Sequence, residues 1–574
     1  MSKLSHTVES ETPDLLWLYN FDGVNLRDDR RAINDQECSW LENFIPLGPG
    51  NARAIYDNAT AIYTASQDIV YDFAFNLGAA FYHALFLSDG SAIQVAVSNG
   101  AAVTIAAAAT FTITPTLPAC AQVGAQGIVI VTSNNYYAWD GTLYSAGGVA
   151  PGWLLGLSGG AASVQLSGHT HSNTTIDNFT DLITGAPSVL GIVVGMSIRD
   201  FVGNTDIPAN TTVLTVNAST YTITISNSAL LTTSVRLGFE YLMPSGVNGN
   251  AVESYMGRIW IMSGNKYLFS SPQNGADFST AGGGGTVVSS DAFLKTTYMN
   301  LKQSNGFLYM FGDGSISVIS NVQTSGTPTS TTFSYQNVDR QTGLGWRDAI
   351  VPFGNSLCFA NPTGVYQLYG GSAQKVSDKI DALFQNAVYT SVTPTMFLTV
   401  IFNVVCIGII LNTLDPTTST QRTLMAVWNG DKWFIASQTL TGVYANWFEI
   451  GASPQGWAND KRHVYRLFQT ASATLPKKIV SKLWAGRSML IDKTSVNVYA
   501  EVSDFSGLGV ALSGSLDSDM NSPVTISIPT SPSGVVGQTV NAAGRRLGVT
   551  ITTTSKDFTM IGFGATYNEE TFYG

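Results

Sequence analysis

The chain has 574 residues, more than one hydrophobic core usually serves, so roughly two to four domains are expected. Hydrophobic residues make up 44% and aromatics 11%, whereas Asp, Glu, Lys and Arg together supply only 12% and leave a formal net charge of -11. That balance, with 56 glycines and many Thr, Ser and Asn, speaks for short strands and tight turns and against a helical protein. With no Lys/Arg run longer than two residues, tight wrapping of nucleic acid is excluded, although a weakly repulsive passage for a duplex is not.

Met1 to Asn20 carries Glu9, Glu11 and Asp14 where a secretory leader needs a basic start and an apolar run, so no such leader is expected. Residues 14–55 are the most polar part. Asn34 or Asp35 is placed to cap a short helix running to about Asn43, with Trp40, Leu41 and Phe44 along one side and the Pro46–Gly50 turn as its stop. The charged cluster Arg27–Glu37 reads as a solvated face or as a contact arm toward a neighbouring subunit.

From about Ile55 strands recur. HALFLS (83–88) is followed by GIVIVTSNNYYAWDG (127–141), GRIWIMSGNKYLFSS (257–271), GFLYMFGDGSISVIS (306–320), NSLCFANPTGVYQLYGG (355–371) and QRTLMAVWNGDKWFIAS (421–437). Each of the later units is a strand, a turn rich in Asn, Gly, Asp or Pro, and a second strand. Repeated antiparallel hairpins without helical crossovers predict a β-propeller, whose radial blades hide their edges. Tyr136, Tyr137, Trp139, Trp260, Tyr267, Tyr309, Trp428 and Trp433 belong to these hairpins and are expected to fill the space between blades. MFLTVIFNVVCIGIIL (396–411) is broken by Thr399 and Asn403 and is too short to span a bilayer, so two buried strands are expected and no stable membrane insertion.

The series is interrupted between about Gly159 and Leu242, where TVLTVNASTYTITIS reads as strand, turn near Asn217–Ser219 and alternating Thr/Ile strand. After SKLWAG (481–486), VNVYAEVSD, PVTISIP, RRLGVTITTTS and FTMIGFGATYNEE form period-2 strands suited to a sandwich. The division is thus 1–55, an N-terminal arm; 56–158, the first part of the propeller; 159–245, an inserted β domain; 246–484, the rest of the propeller; and 485–574, a C-terminal β domain. The fold class is all-β.

Chemistry-bearing patterns are few. Cys38, Cys120, Cys358 and Cys406 lie far apart, without zinc or disulfide spacing, and read as buried thiols. His169 and His171 would share one face of a strand and are the candidate metal ligands, provided other groups complete the set. His83, between Tyr82 and Ala84, reads as a structural histidine. No nucleophile elbow, zinc-protease helix or phosphate-binding loop is present, and AGGGGTVV (281–288) lacks the lysine and helix of one. Asp378 and Asp381 are the carboxylates considered for glycoside hydrolysis, which needs two such groups facing across a cleft. Asp140, Asp313 and Asp431 sit in turns, where they are suited to cap backbone amides. No catalytic residue and no cofactor is expected.

VNLRDDRRAINDQECSWLENFIPLGPGNAR (24–53) resembles the segment before the first blade in tail nozzle proteins of short-tailed double-stranded-DNA bacteriophages, the tail tubular and packaged-DNA stabilisation proteins. The matching positions are Asp35 or Glu37, Asn43, Gly50 and Arg53. GRIWIMSGNKYLFSSPQNGADFS resembles a blade of that family through Arg258, Trp260, Asn265, Ser270 or Ser271, Pro272, Asp277 and Phe278. PTGVYQLYGGSAQKVSDKID, WNGDKWFIAS and KKIVSKLWAG resemble later segments, while GMSIRDFVGNTDIPANTTVLTV is similar to a small β module of virion proteins. The resemblance implies a non-enzymatic subunit of a six-copy ring in the virion tail, contacting portal or adaptor proteins and fibres or spikes, through which DNA is retained and ejected. The alternatives are a receptor-binding or fibre-attachment protein and a polysaccharide depolymerase.

Overall fold

The computed structural model describes residues 13–569 except 49, 157–162, 171–172, 182–186, 188, 190–191, 193, 201–206, 209–210, 231, 289–297, 327–328, 391, 439–443, 451–452 and 532. The chain is all-β, a propeller with an inserted sheet and a C-terminal sandwich.

Six antiparallel sheets of four strands, together with the first four strands of a larger sheet, form seven blades. Their innermost strands are Ile69–Leu77, Ala119–Val123, Ala251–Tyr255, Tyr298–Ser304, Ile350–Phe353, Met396–Ile401 and Tyr444–Ile450. Inner strands of neighbouring blades pack on one another around the axis, as Ala251–Tyr255 does on Tyr298–Ser304, and the seventh packs back on the first. Closure uses an early segment: Tyr63–Thr64 pairs with His463–Arg466 as the outer strand of blade seven, His463 opposite Thr64. The hairpin aromatics named above are all buried, and rings meet edge-on between blades, as with Phe111 and Tyr137 at 5.0 Å. Where blades three and four meet, Arg258 is 3% exposed and bonds Ser270 O, Gly283 O at 2.7 Å, Thr331 Oγ1 at 2.9 Å and Thr324 Oγ1.

The apolar stretch near 400 is two strands of blade six, Met396–Ile401 and Val404–Asp415, turning through Phe402 and Asn403, both at positive φ. Among the described residues no helix is long and apolar enough to cross a membrane. Between blades two and three the chain forms a six-stranded sheet spanning Ser163–Thr170 to Thr233–Glu240, and Asn217 Oδ1 holds the turn expected there by accepting from Ser219 N and Thr220 N.

The helix expected over 34–43 is absent. Residues Cys38–Glu42 are a strand, paired antiparallel with Lys477–Ser481, and Asn43 turns through φ 60 into a further strand, Phe44–Pro46. Burial of Trp40, Leu41 and Phe44 on both faces of an extended segment outweighs the helical spacing. The arm expected to reach another subunit is thereby used within its own chain. Cys38–Glu42 joins blade six to Lys477–Ser481, Leu547–Thr553, Val510–Ser518 and Val524–Ser531 in one nine-stranded sheet. Asp14–Leu18 pairs with Phe558–Glu569 in a seven-stranded sheet. The two sheets share a core that includes Leu512, Ile526, Ile551, Val498, Ala500 and Phe563, which makes the sandwich.

Candidate functional site

The inner strands, one from each blade, surround the propeller axis. There the strands enclose a pocket of about 580 Å³ that receives four carboxyl groups, Asp72, Glu253, Asp348 and Glu449, and two cations, Lys302 and Arg347. Phe73 and Trp447, both half-buried, contribute aromatic surface.

One end of the axis is spanned by a side chain. Arg347, just before blade five, donates from Nη1 to Leu117 O at 2.9 Å and Pro118 O at 2.8 Å, at the entry to blade two. Its guanidinium lies 4.5 Å from the ring centre of Tyr71 on blade one, and it donates to Asp348 from Nε at 3.2 Å to both oxygens and from Nη2 at 3.1 Å. Asn300 Nδ2 fixes the Arg347 carbonyl from blade four. Blades one, two and four are therefore tied to the entry of blade five, and the later halves of the inner strands, with Lys302 and Glu449, line the rest of the pocket.

Glu253 has a side chain only 19% exposed, with Lys302 Nζ at 3.3 Å from Oε2. Burial pushes its carboxyl above the ordinary range, and Lys302 offsets only part of that rise. Asp72 is held differently. Its Oδ1 lies 3.0 Å from His83 Nδ1, and both side chains are essentially sealed from solvent. The imidazole is boxed by Phe448 at 4.8 Å and Trp457 at 5.0 Å between ring centres. Asp72 Oδ2 and His83 Nε2 have no hydrogen-bond partner among the described residues. His83 is thus structural in its packing but half-bonded.

The residues singled out from sequence lie elsewhere. Asp378 and Asp381 flank Lys375, at 3.8 and 2.6 Å, on the outer side of blade five, and form no cleft. Asp140 accepts from Thr142 N as expected of a turn residue, whereas at 429–432 Asn429 takes that role in place of Asp431. His169 sits 3.0 Å from Ser234 Oγ on the neighbouring strand; His171 lies outside the described residues. Among the described residues no group of three or more His, Cys, Asp or Glu is gathered as for a metal ion. The four cysteines are free and buried, and burial pushes the Cys358 and Cys406 thiols up to about 12. The axial carboxyls were missed because they come from separate blades. The available signal was an acidic residue within an otherwise apolar first strand, such as Asp72 in IVYDFAF.

No family model matches the chain, and no curated protein matches it. Among solved structures, BBS1N in complex with ARL6DN is similar at a TM-score of 0.34 and 7% identity over 72% of this chain and 97% of that one. The phage phi92 endosialidase gives 0.25 and 12% over 73% and 69%. An exo-β-1,3-galactanase of Phanerochaete chrysosporium gives 0.20 and 10% over 89% and 99%. Likeness this distant carries no argument about activity, and the fold rests on the strand pairing itself.

The nozzle reading is corrected. Neither a family model nor a curated protein supports the resemblance on which it rested. With it go the non-enzymatic assignment, the six-copy ring, the portal, adaptor and fibre partners, and the role in DNA ejection. What the chain presents is a seven-bladed propeller with an acidic pocket on its axis.

Proposed function

We propose that the axial pocket is a glycan site and that the protein cleaves glycosidic bonds there. The observation that carries this reading is Glu253: a carboxyl whose affinity for a proton is raised by burial, in the same pocket as Asp72 and Asp348. Glycoside hydrolysis needs one carboxyl that holds a proton for the departing oxygen and one carboxylate that acts as base or nucleophile. Glu253 suits the first role. For the second, Asp348 is the accessible carboxylate, its side chain 23% exposed, whereas Asp72 is sealed in by its bond to His83. Asp348 is oriented by Arg347 and adds negative charge where an oxocarbenium-like centre would develop. Phe73 and Trp447 offer apolar faces on which a sugar ring can stack.

The test is release of reducing ends from a panel of polysaccharides by the purified protein and by Glu253→Gln and Asp348→Asn. Loss of general acid catalysis typically costs about 10²- to 10⁴-fold, and Glu253→Gln is expected in that range. Full activity in Glu253→Gln, or no release from any polysaccharide by correctly folded protein, would refute the assignment.

A further inference from the structure

A second cavity, of about 660 Å³, lies against the outward face of the nine-stranded sheet, within the volume range of ligand sites. Its floor follows from strand register. Glu42 lies opposite Lys478, Lys478 opposite Thr552, Thr552 opposite Ser513, and Ser513 opposite Ser527. Residues directly opposite in a ladder share a face, so these five side chains form one unbroken polar row across five strands. The alternate positions, Ile479, Ile551 and Leu512, point the other way into the core. The turn between the second and third strands of blade six walls the cavity with Thr417, Thr418 and Arg422.

The charges within this row are unequally used. Arg422 donates to Glu42 Oε1 at 2.8 Å and Oε2 at 2.6 Å and lies 2.6 Å from Asp415, so its charge is taken up by these two carboxylates. Lys478, half-buried in the middle of the floor, has no ion-pair partner among the described residues. Beside it stand the hydroxyls of Thr552, Ser513 and Ser527, the latter two exposed. One uncommitted cation next to a line of hydroxyls fits a ligand with a carboxylate and many hydroxyl groups.

We infer that this groove binds an acidic oligosaccharide, a uronate-bearing chain whose carboxylate pairs with Lys478 and whose hydroxyls bond Thr552, Ser513 and Ser527. Binding here requires no turnover at the axis, so the two sites are separable. The experiment is isothermal titration of the full chain with an oligogalacturonate and with a neutral oligosaccharide of equal length, at low and high salt. The acidic chain is expected to bind more tightly, with affinity falling as salt rises. Lys478→Gln should weaken it about tenfold, the worth of one charge-assisted contact, while Lys478→Arg retains it. Glu253→Gln, which alters only the axial pocket, should bind the acidic chain as well as the parent does. Equal affinity for acidic and neutral chains, no binding by the parent, or unchanged binding by a folded Lys478→Gln would each overturn the inference. Loss in Glu253→Gln would place the ligand at the axis and overturn it equally.

Discussion

Replacing Arg258 by Ala removes the tie between blades three and four. Among the described residues the guanidinium is buried without a carboxylate, and its donors are spread over two carbonyls and two threonine hydroxyls. Bonds from a charged donor contribute about 1.5–3 kcal/mol each, while the buried cation costs several kcal/mol in lost hydration, a cost visible in the lowering of its own pKa by burial. The alanine variant recovers the hydration cost but removes the arginine's bond to Ser270 O and leaves Gly283 O with Thr331 Oγ1 alone. The balance is a loss of about 3 kcal/mol. Arg258→Lys keeps the charge, but a single ammonium does not span both blades, so it should lose nearly as much. Hydrogen exchange reads the effect locally, as faster exchange in Arg258–Ser263 and Ile316–Ser325 with blades six and seven unchanged. Urea midpoints of both variants within about 0.5 kcal/mol of the parent would show that the four contacts contribute nothing net.

Glu253→Gln should be more stable than the parent at neutral pH and equal to it in acid. The folded pKa is raised, so the native state binds the proton more tightly than the unfolded chain, and stability falls as pH rises through that range. Lys477, 2% exposed and lowered by burial to about 8, behaves oppositely: the unfolded chain holds its proton more tightly, so stability rises between about pH 8 and the ordinary lysine value. Lys477→Met should therefore gain most stability below pH 8, an advantage that shrinks toward pH 10 in urea titrations. Gly564→Ala would drive a methyl group into the Leu16 carbonyl oxygen, and early protease cleavage before Phe21 should report release of Asp14–Leu18. The buried thiols should resist a disulfide reagent in the native protein, and all four should react once it is unfolded.

The blades were legible because each hairpin is local: turn chemistry, period-2 alternation and paired aromatics occur within fifteen or so residues of one another. Trp260 and Trp433 mark two such hairpins, and both are buried where the pattern placed them. The Cys38–Glu42 segment misled because its helical spacing of Trp40, Leu41 and Phe44 is also compatible with a strand buried on both faces. Its partner, Lys477–Ser481, lies more than four hundred residues further on. The axial pocket was hidden for the same reason. Asp72, Glu253 and Asp348 are brought together only by ring closure, whereas Asp378 and Asp381, close in sequence, share a lysine on the rim. The nozzle resemblance drew on blade hairpins that any propeller can present, and its Arg258 and Trp260 hold blades together.

The outer strand Tyr63–Thr64 and the sheet strand Cys38–Glu42 leave the ribosome well ahead of their partners His463–Arg466 and Lys477–Ser481. For most of translation both segments wait as unpaired edges, the kind of surface on which nascent chains aggregate. The two segments act as a late clasp: the native ring is sealed once, after every blade has been made, and a truncated product lacking residues beyond about 460 has no way to seal it.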